Sequence, residues 1–276
     1  MRPGWLGRAA VLTSCLIVAA VCLFPFAWMA VSSLKPAGEL YAVPPAWWPS
    51  APTLDSYRRV LFASNVPRYF LNSLIISAGS TGLALALAVF AAYGFARYRF
   101  PGRRGLLAFV LTGQLLPTAA IVVPLFVVLR ALHLVNTHLG LILVYMILTL
   151  PLSVWMLCSY IRAVPVELEE AATIDGASRL GVLFRITLPL CLPGIVTVVV
   201  YAFVTTWNEF IFALVFAQDS HVKTLPIGLA EFTAEFTTDW GAVMAASMVM
   251  TIPVVIAFLA LQRAFVGGLT AGAVKG

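Results

Sequence analysis

Six apolar stretches, at about 9–34, 69–96, 106–132, 139–161, 190–217 and 241–261, alternate with shorter polar intervals rich in Pro, Gly and Arg. Each is close to or longer than the ~20 residues that a helix needs to cross hydrocarbon. The pattern predicts an all-α integral membrane protein with six transmembrane helices in one domain covering 1–276. The first stretch resembles a secretion signal only superficially, because it is too long and lacks a small-residue cleavage site, so it reads as an uncleaved first span. Pro25, Pro117 and Pro124 are expected to kink their helices, which neighbouring helices tolerate in a bilayer. The second stretch is rich in Ala, Gly and Ser, residues that let membrane helices approach closely. Between the first two stretches, a polar segment from Lys35 to Arg68 predicts one short helix around Leu54–Phe62, with Trp47-Trp48-Pro49 suited to the interfacial aromatic belt.

The polar interval from Pro165 to Pro193 differs in kind from the other loops. Pro165 fits a first helical turn, where its missing N–H costs little. Glu167, Glu169 and Glu170 follow, where negative charge suits the positive end of the helix dipole. Leu168, Ala171, Ala172 and Asp175 fall on one face at i, i+3, i+4 spacing and leave that face nearly flat. Asp175-Gly176 reads as a break. A second short helix then carries Leu180, Leu183 and Phe184 on one side and offers Arg179 and Arg185 to solvent or lipid phosphate, before Pro189 and Pro193 lead into the next span. Glu167 and Glu169 are expected to solvate a loop helix. The pair of helices forms a docking knob for another protein.

Composition agrees with a membrane protein. Of 276 residues, 62% are hydrophobic and 10% charged, against about 25% charged in soluble domains. The formal charge of +6 is explained by position and implies no nucleic-acid partner. With both termini cytoplasmic, 11 of the 17 Lys and Arg lie inside, among them Arg2, Arg97, Arg99, Arg103, Arg104, Arg162, Arg263 and Lys275. The positive-inside rule therefore puts the 162–189 loop in the cytosol. Acidic residues, Glu235 among them, collect in the last outer loop without weighing in that rule. Cys15, Cys22, Cys158 and Cys191 lie in or beside apolar spans without a CxxC and read as buried small hydrophobes. His133, His138 and His221 fall in outer loops as surface groups, not metal ligands. Asn72, Ser73 and Gln114 read as helix-packing polar groups.

Glu170-Ala171-Ala172, three residues, Gly176, nine residues, Ile186, one residue and Leu188-Pro189 together resemble the EAA loop of bacterial ABC importer permeases, at every motif position. Trp207-Asn208-Glu209, Leu225-Pro226-Ile227-Gly228-Leu229 and the ending Gly268 to Gly276 are similar to the carbohydrate, maltose-type branch of these binding-protein-dependent inner-membrane components. The resemblance covers nearly the whole chain and implies a type I ABC importer permease fold. It implies a second homologous permease, two ATPase subunits that bind ATP and Mg, an extracytoplasmic solute-binding protein and surrounding membrane lipid as partners, in a bacterial plasma membrane. It makes Glu170, Ala171, Ala172, Asp175, Gly176, Ile186, Leu188 and Pro189 the ATPase-coupling residues. Trp207, Asn208 and Glu209 become candidate lining of the solute pathway, with helix–helix hydrogen bonding as their alternative role. The Gly272–Gly276 tail is a candidate contact with the ATPase dimer or a solvated end.

The chemistry absent from the sequence matters equally. No GxxxxGK[ST] loop offers a phosphate cradle, and no catalytic triad or paired acid and base is discernible, so the chain reads as a transporter subunit with no catalytic residues, cofactor or metal of its own. An ion-driven secondary carrier is the rival reading. It would require inverted repeats and intramembrane ion ligands, for which Glu209 alone approaches the right depth. A membrane scaffold would need no cytoplasmic knob. Within the importer class, a sugar-like solute such as a glycerol phosphate ester is the alternative cargo.

Overall fold

A computed structural model describes residues 5–233 and 238–273, the side chains of 5, 6, 261 and 263–273 excepted. The expectations placed on Arg2, Glu235 and residues 274–276, Lys275 among them, and on the side chain of Arg263, lie outside the described residues. In chain order the helices are α1 (Trp5–Ser33), α2 (Asp55–Phe62), α3 (Val66–Arg97), α4 (Arg103–Thr112), α5 (Thr118–Ala131), α6 (His138–Ala163), α7 (Val166–Ile174), α8 (Arg179–Val182), α9 (Leu188–Leu190), α10 (Leu192–Trp207), α11 (Ile211–Phe216), α12 (Leu225–Ala230) and α13 (Trp240–Ala273). Short 3₁₀ turns occupy Ala37–Tyr41 and Gly113–Leu115, and Leu183–Thr187 is a π-helical turn. Among the described residues the one extended pairing is the isolated Thr233–Thr238 bridge.

Among the described residues four helices are long and apolar enough to cross a membrane alone: Gly7–Ser33, Val66–Arg97, His138–Ala163 and Trp240–Ala260. Two further crossings exist if each of two bent pairs counts as one: Arg103–Leu115 with Thr118–Ala131, bent by 100°, and Arg179–Leu190 with Leu192–Trp207, bent by 79°. The first bend has a local cause. Pro117 forces the residue before it out of the helical region, and Leu116 (φ −72°, ψ 130°) and Pro117 (φ −63°, ψ 129°) are both extended. Pro124 lies within α5, as Pro25 lies within α1. The second bend falls at Cys191, flanked by Pro189 and Pro193, whose missing N–H groups remove ladder bonds on either side.

The chain separates into two compact units, Met1–Pro67 with Gly228–Ile252, and Arg68–Ile227 with Pro253–Gly276. In the first, Thr53 N–H donates to the Leu34 carbonyl at 2.9 Å and α2 follows where the short helix was expected. Asp239 Oδ1 accepts from Ala242 N–H, capping the start of α13, and from Arg59 at 3.2 Å. Gly241 lets α13 pass close to α2, since a Cβ there would lie 2.5 Å from Ser56 Oγ. Lys35, which opens the polar segment after the first span, is buried. Its Nζ donates to the Ala46 carbonyl at 2.6 Å and sits 4.3 Å from the Trp28 ring centroid. Cys15 and Cys22 are exposed on α1, contrary to the expectation of burial, because residues 8–27 of that helix are exposed throughout.

The second unit holds two apolar clusters. One joins Ile76, Val122, Leu129, Leu141, Tyr145, Phe212 and Phe216, and the other joins Ala88, Ala92, Phe95, Val154, Leu157, Ile161, Leu183 and Cys191. Ala84, Ala88 and Ala92 are fully buried on one stripe of α3, the small-residue packing expected for membrane helices. Gly194 permits an equally close crossing of α10 and α6, where a Cβ would come within 2.4 Å of Tyr160 Cγ. Cys158 and Cys191 are buried as expected.

Candidate functional site

The polar interval after α6 folds as two short helices around a glycine. Val166–Ile174 forms α7. Gly176 adopts φ +86°, a region where only glycine escapes a steric penalty, and its N–H and that of Ala177 close the helix on the Thr173 and Ala172 carbonyls. Ser178 then caps α8 by accepting from Gly181 N–H at 3.1 Å.

The adjacent acids Glu169 and Glu170 have opposite environments. Glu169, expected on a solvated face, is 7% exposed. Its Oε1 accepts from Arg97 Nε at 2.9 Å and from Thr187 Oγ1 at 2.8 Å, and its Oε2 accepts from Tyr93 OH at 3.3 Å. Arg97 also donates to the Val164 carbonyl at 2.9 Å. A carboxylate on this turn is buried because three donors from α3 and the π turn are waiting for it, and burial without them would be costly. The neighbouring Glu167, Glu170 and Asp175 are exposed, as are Ala171, Thr173, Leu168 and Ile174, while Ala172 is half-buried. The outward surface of α7 is thus mixed, small and apolar with flanking carboxylates.

A cleft of about 610 Å³ runs beside this helix, lined by Tyr93, Arg97, Tyr98, Glu169, Glu170, Thr173, Ile174 and Arg179 among others. Arg179, expected to face solvent or phosphate, donates to Tyr98 OH at 2.9 Å and packs over its ring. Of the remaining motif positions, Ile186 and Leu188 are half-buried and Pro189 is exposed at the start of α9. Sequence reasoning missed Arg97 and Thr187. Thr187 occupies the unspecified position between Ile186 and Leu188, and Arg97 is 72 residues from its partner, so neither carries a local signal.

The second candidate group sits where α10 ends. Trp207 is 1% exposed, stacked on Phe203 and edge-on to Phe70, each with centroids 5.6 Å apart. Asn208 is exposed and donates to the Val204 carbonyl at 2.8 Å. Glu209 accepts from Phe212 N–H (2.9 Å) and Ala213 N–H (3.2 Å), which starts α11. The three residues therefore form a helix break, of which Asn208 presents its side chain and Trp207 does not.

Polar groups elsewhere in this unit act as packing devices. Asn72 donates to the His221 and Lys223 carbonyls and lies 2.9 Å from His138 Nε2. Ser73 accepts from Leu225 N–H, and Gln114 donates to the Leu148 carbonyl. Asn136, at φ +61°, receives Gln218 and Asp219 N–H and holds the turn before α6 against that loop. Among the described residues no three His, Cys, Asp or Glu side chains gather as a metal site.

Residues 84–270 match the model of the binding-protein-dependent transport system inner membrane component. The chain belongs to this family. It is an all-α, multi-pass membrane permease with the type I ABC importer fold. Among its relatives, the trehalose/maltose transport system permease protein MalG of Thermococcus litoralis is 40% identical over the full length of both chains. The sulfoquinovosyl glycerol transport system permease protein SmoH of Agrobacterium fabrum is 39% identical over 92% of this chain and 89% of its own. A crystal structure of a bacterial ABC transporter that imports the acidic polysaccharide alginate contains a chain of the same fold, with a TM-score of 0.79, 20% identity and coverage of 95% of this permease and 99% of that chain.

Proposed function

We propose that this permease forms half of the translocation pathway of an ATP-driven importer for a carbohydrate. A second permease, two ATPase subunits carrying ATP and Mg, and an extracytoplasmic binding protein complete the assembly. The observation that carries the reading is the division of labour on α7, where Glu169 is latched inward to Arg97 and Thr187 while Glu170, Ala171 and Ile174 face outward. A knob fixed by a buried ion pair moves as a body with the end of α3, so a push on its outer surface is delivered to a membrane helix. Ala171 and Gly176 permit close approach of an ATPase groove, and Glu170 offers a carboxylate to an Arg or Lys within it. Cytoplasmic placement of α7 is supported by the distribution of Lys and Arg.

Carbohydrate cargo is supported by the named substrates of the relatives, trehalose, maltose and sulfoquinovosyl glycerol, all of which are glycosides. On the solute side, the break at Asn208–Phe210 interrupts an apolar helix, and irregular backbone at membrane depth persists where it lines a cavity or is covered by protein. On this reading Asn208 and Glu209 serve as pathway groups, and Trp207, packed on Phe70 and Phe203, supports the break.

The test uses cells lacking the native copy and compares wild type with Glu170→Ala, following uptake of labelled glycosides and co-purification of the ATPase. Removing one partner of a charge pair buried at an interface costs about 2–5 kcal/mol of association. The variant is expected to insert at wild-type levels, lose the ATPase and stop uptake. Uptake that persists without the ATPase and collapses with an uncoupler would replace this reading with an ion-driven carrier.

A further inference from the structure

A second cleft, of about 290 Å³, lies between α4 and α6 and has no part in the coupling surface. Its composition is graded. At one end stand Arg103 and Arg104 from the first turn of α4 and Arg162 from the last turn of α6. At the other stand Leu107 and Leu111 of α4 with Trp155 of α6. The grading follows from helical spacing. Residues 103, 107 and 111 recur every four positions on one face of α4, and Trp155 precedes Arg162 by seven residues, about 10 Å along the axis.

Among the described residues no carboxylate lines this cleft, nor the adjoining one of about 540 Å³ formed by Arg99, Phe100 and Gly102–Gly105. Arg103 donates to the Tyr98 carbonyl and Arg162 to the Phe95 carbonyl, each leaving further guanidinium N–H groups, while Arg104 has no protein partner among the described residues. The open end of α4 adds to the positive field, since its N-cap is Gly102 in the left-handed region without a side-chain cap. Trp155, at the apolar end, is 46% exposed.

We propose that this cleft binds one anionic glycerophospholipid. The three guanidiniums receive the phosphodiester, and an acyl chain runs along Leu107, Leu111 and Trp155. Each half of the cleft alone would suit a different occupant, a free anion or a protein helix. The basic head above an apolar lane, on a chain that spans a membrane, suits a molecule with both parts.

The test is native mass spectrometry of the full-length permease purified in detergent and titrated with dioleoyl phosphatidylglycerol or dioleoyl phosphatidylcholine. Wild type is expected to retain one phosphatidylglycerol more tightly than any phosphatidylcholine. The Arg103→Gln, Arg104→Gln, Arg162→Gln variant is expected to lose it by about a hundredfold, on the order of fivefold per guanidinium. Should that variant fail to insert, Ala108→Trp keeps every charge and fills the apolar lane, and it too is expected to release the lipid. Arg99→Gln, outside the lane, is expected to retain it. Equal retention by wild type and the lane or triple variant, equal retention of phosphatidylcholine, or full displacement by free glycerol phosphate would each overturn the proposal. So would efficient cross-linking of Ala108→Cys to another permease chain.

Discussion

The carboxylate of Glu169 accepts hydrogen bonds from Arg97, Thr187 and Tyr93 in a space from which water is nearly excluded. Glu169→Ala would leave the Arg97 guanidinium buried without its counter-charge, and breaking one side of a buried pair costs about 3–5 kcal/mol. Thermal unfolding in detergent should fall markedly for Glu169→Ala, partly recover in the double variant Arg97→Met, Glu169→Met, and stay unchanged for Glu170→Ala. Recovery matters because it separates the cost of an orphaned charge from any need for the pair itself. A second carboxylate behaves differently. Glu39, half-exposed after the first helix, is held below the ordinary carboxylate range chiefly by the Ser50 hydroxyl and next by the Ser50 N–H. A lowered value means the ionised form favours the folded loop. The contribution is complete above the unfolded glutamate range, about 4.3, and lost as pH falls through the folded value. The protection of the Ser50 amide against hydrogen exchange, taken relative to an unstructured amide at the same pH, should fall on acidification in wild type and be insensitive to that step in Glu39→Gln.

Single glycines set how the elements meet. Gly176 takes φ +86° between α7 and α8 with open space around its Cα, so Gly176→Ala suffers backbone strain alone, about 1–2 kcal/mol. Gly194→Ala instead drives a Cβ into Tyr160 where α10 crosses α6, at distances that no rotation of the ring tip relieves. Overpacking of this kind costs about 1–3 kcal/mol. Both should lower the unfolding midpoint, but only Gly194→Ala should show a compensating coupling in a double-mutant cycle with Tyr160→Gly, which removes the ring and the Cβ that the new methyl meets. The Asp175-Gly176 break, the short helix α2 and the apolar spans were legible because each rests on local pattern: glycine chemistry, amphipathic spacing and hydrophobic length. The 100° angle at Pro117 was not, because proline dictates where the helix stops while packing dictates where the chain goes next. Glu169 was misjudged for the same reason. Three acids in a first turn look alike until Arg97 and Thr187, distant in sequence, select one of them. Trp207 read as candidate pathway lining or a helix–helix contact, and only the placement of Phe70 and Phe203 shows its ring buried.

At the scale of the whole molecule, the two bent helix pairs decide how many times the chain crosses. By length and composition the described helices allow four crossings or six, and the two cases differ in which loops share a side. If both bent pairs span, Arg99 and Glu167 lie on one side and Arg130 and Ser220 on the other. If the pair from Arg103 to Ala131 is re-entrant, Arg99 and Arg130 share a side. If the pair from Arg179 to Trp207 is re-entrant, Glu167 and Ser220 do. Each of these four residues is exposed, so Arg99→Cys, Arg130→Cys, Glu167→Cys and Ser220→Cys can be made singly in a chain whose own four cysteines are replaced by Ala. A membrane-impermeant maleimide applied to intact cells should label Arg130→Cys and Ser220→Cys, and should reach Arg99→Cys and Glu167→Cys only after permeabilisation. This pattern gives six crossings and puts α7 on the cytoplasmic face, where most Lys and Arg lie and where an ATPase can reach it. The inverse pattern keeps six crossings but strands α7 outside, which would end the coupling proposal whatever the fate of Glu170→Ala. Matched labelling of Arg99→Cys with Arg130→Cys would mean that the bend at Pro117 returns the chain to the face it left.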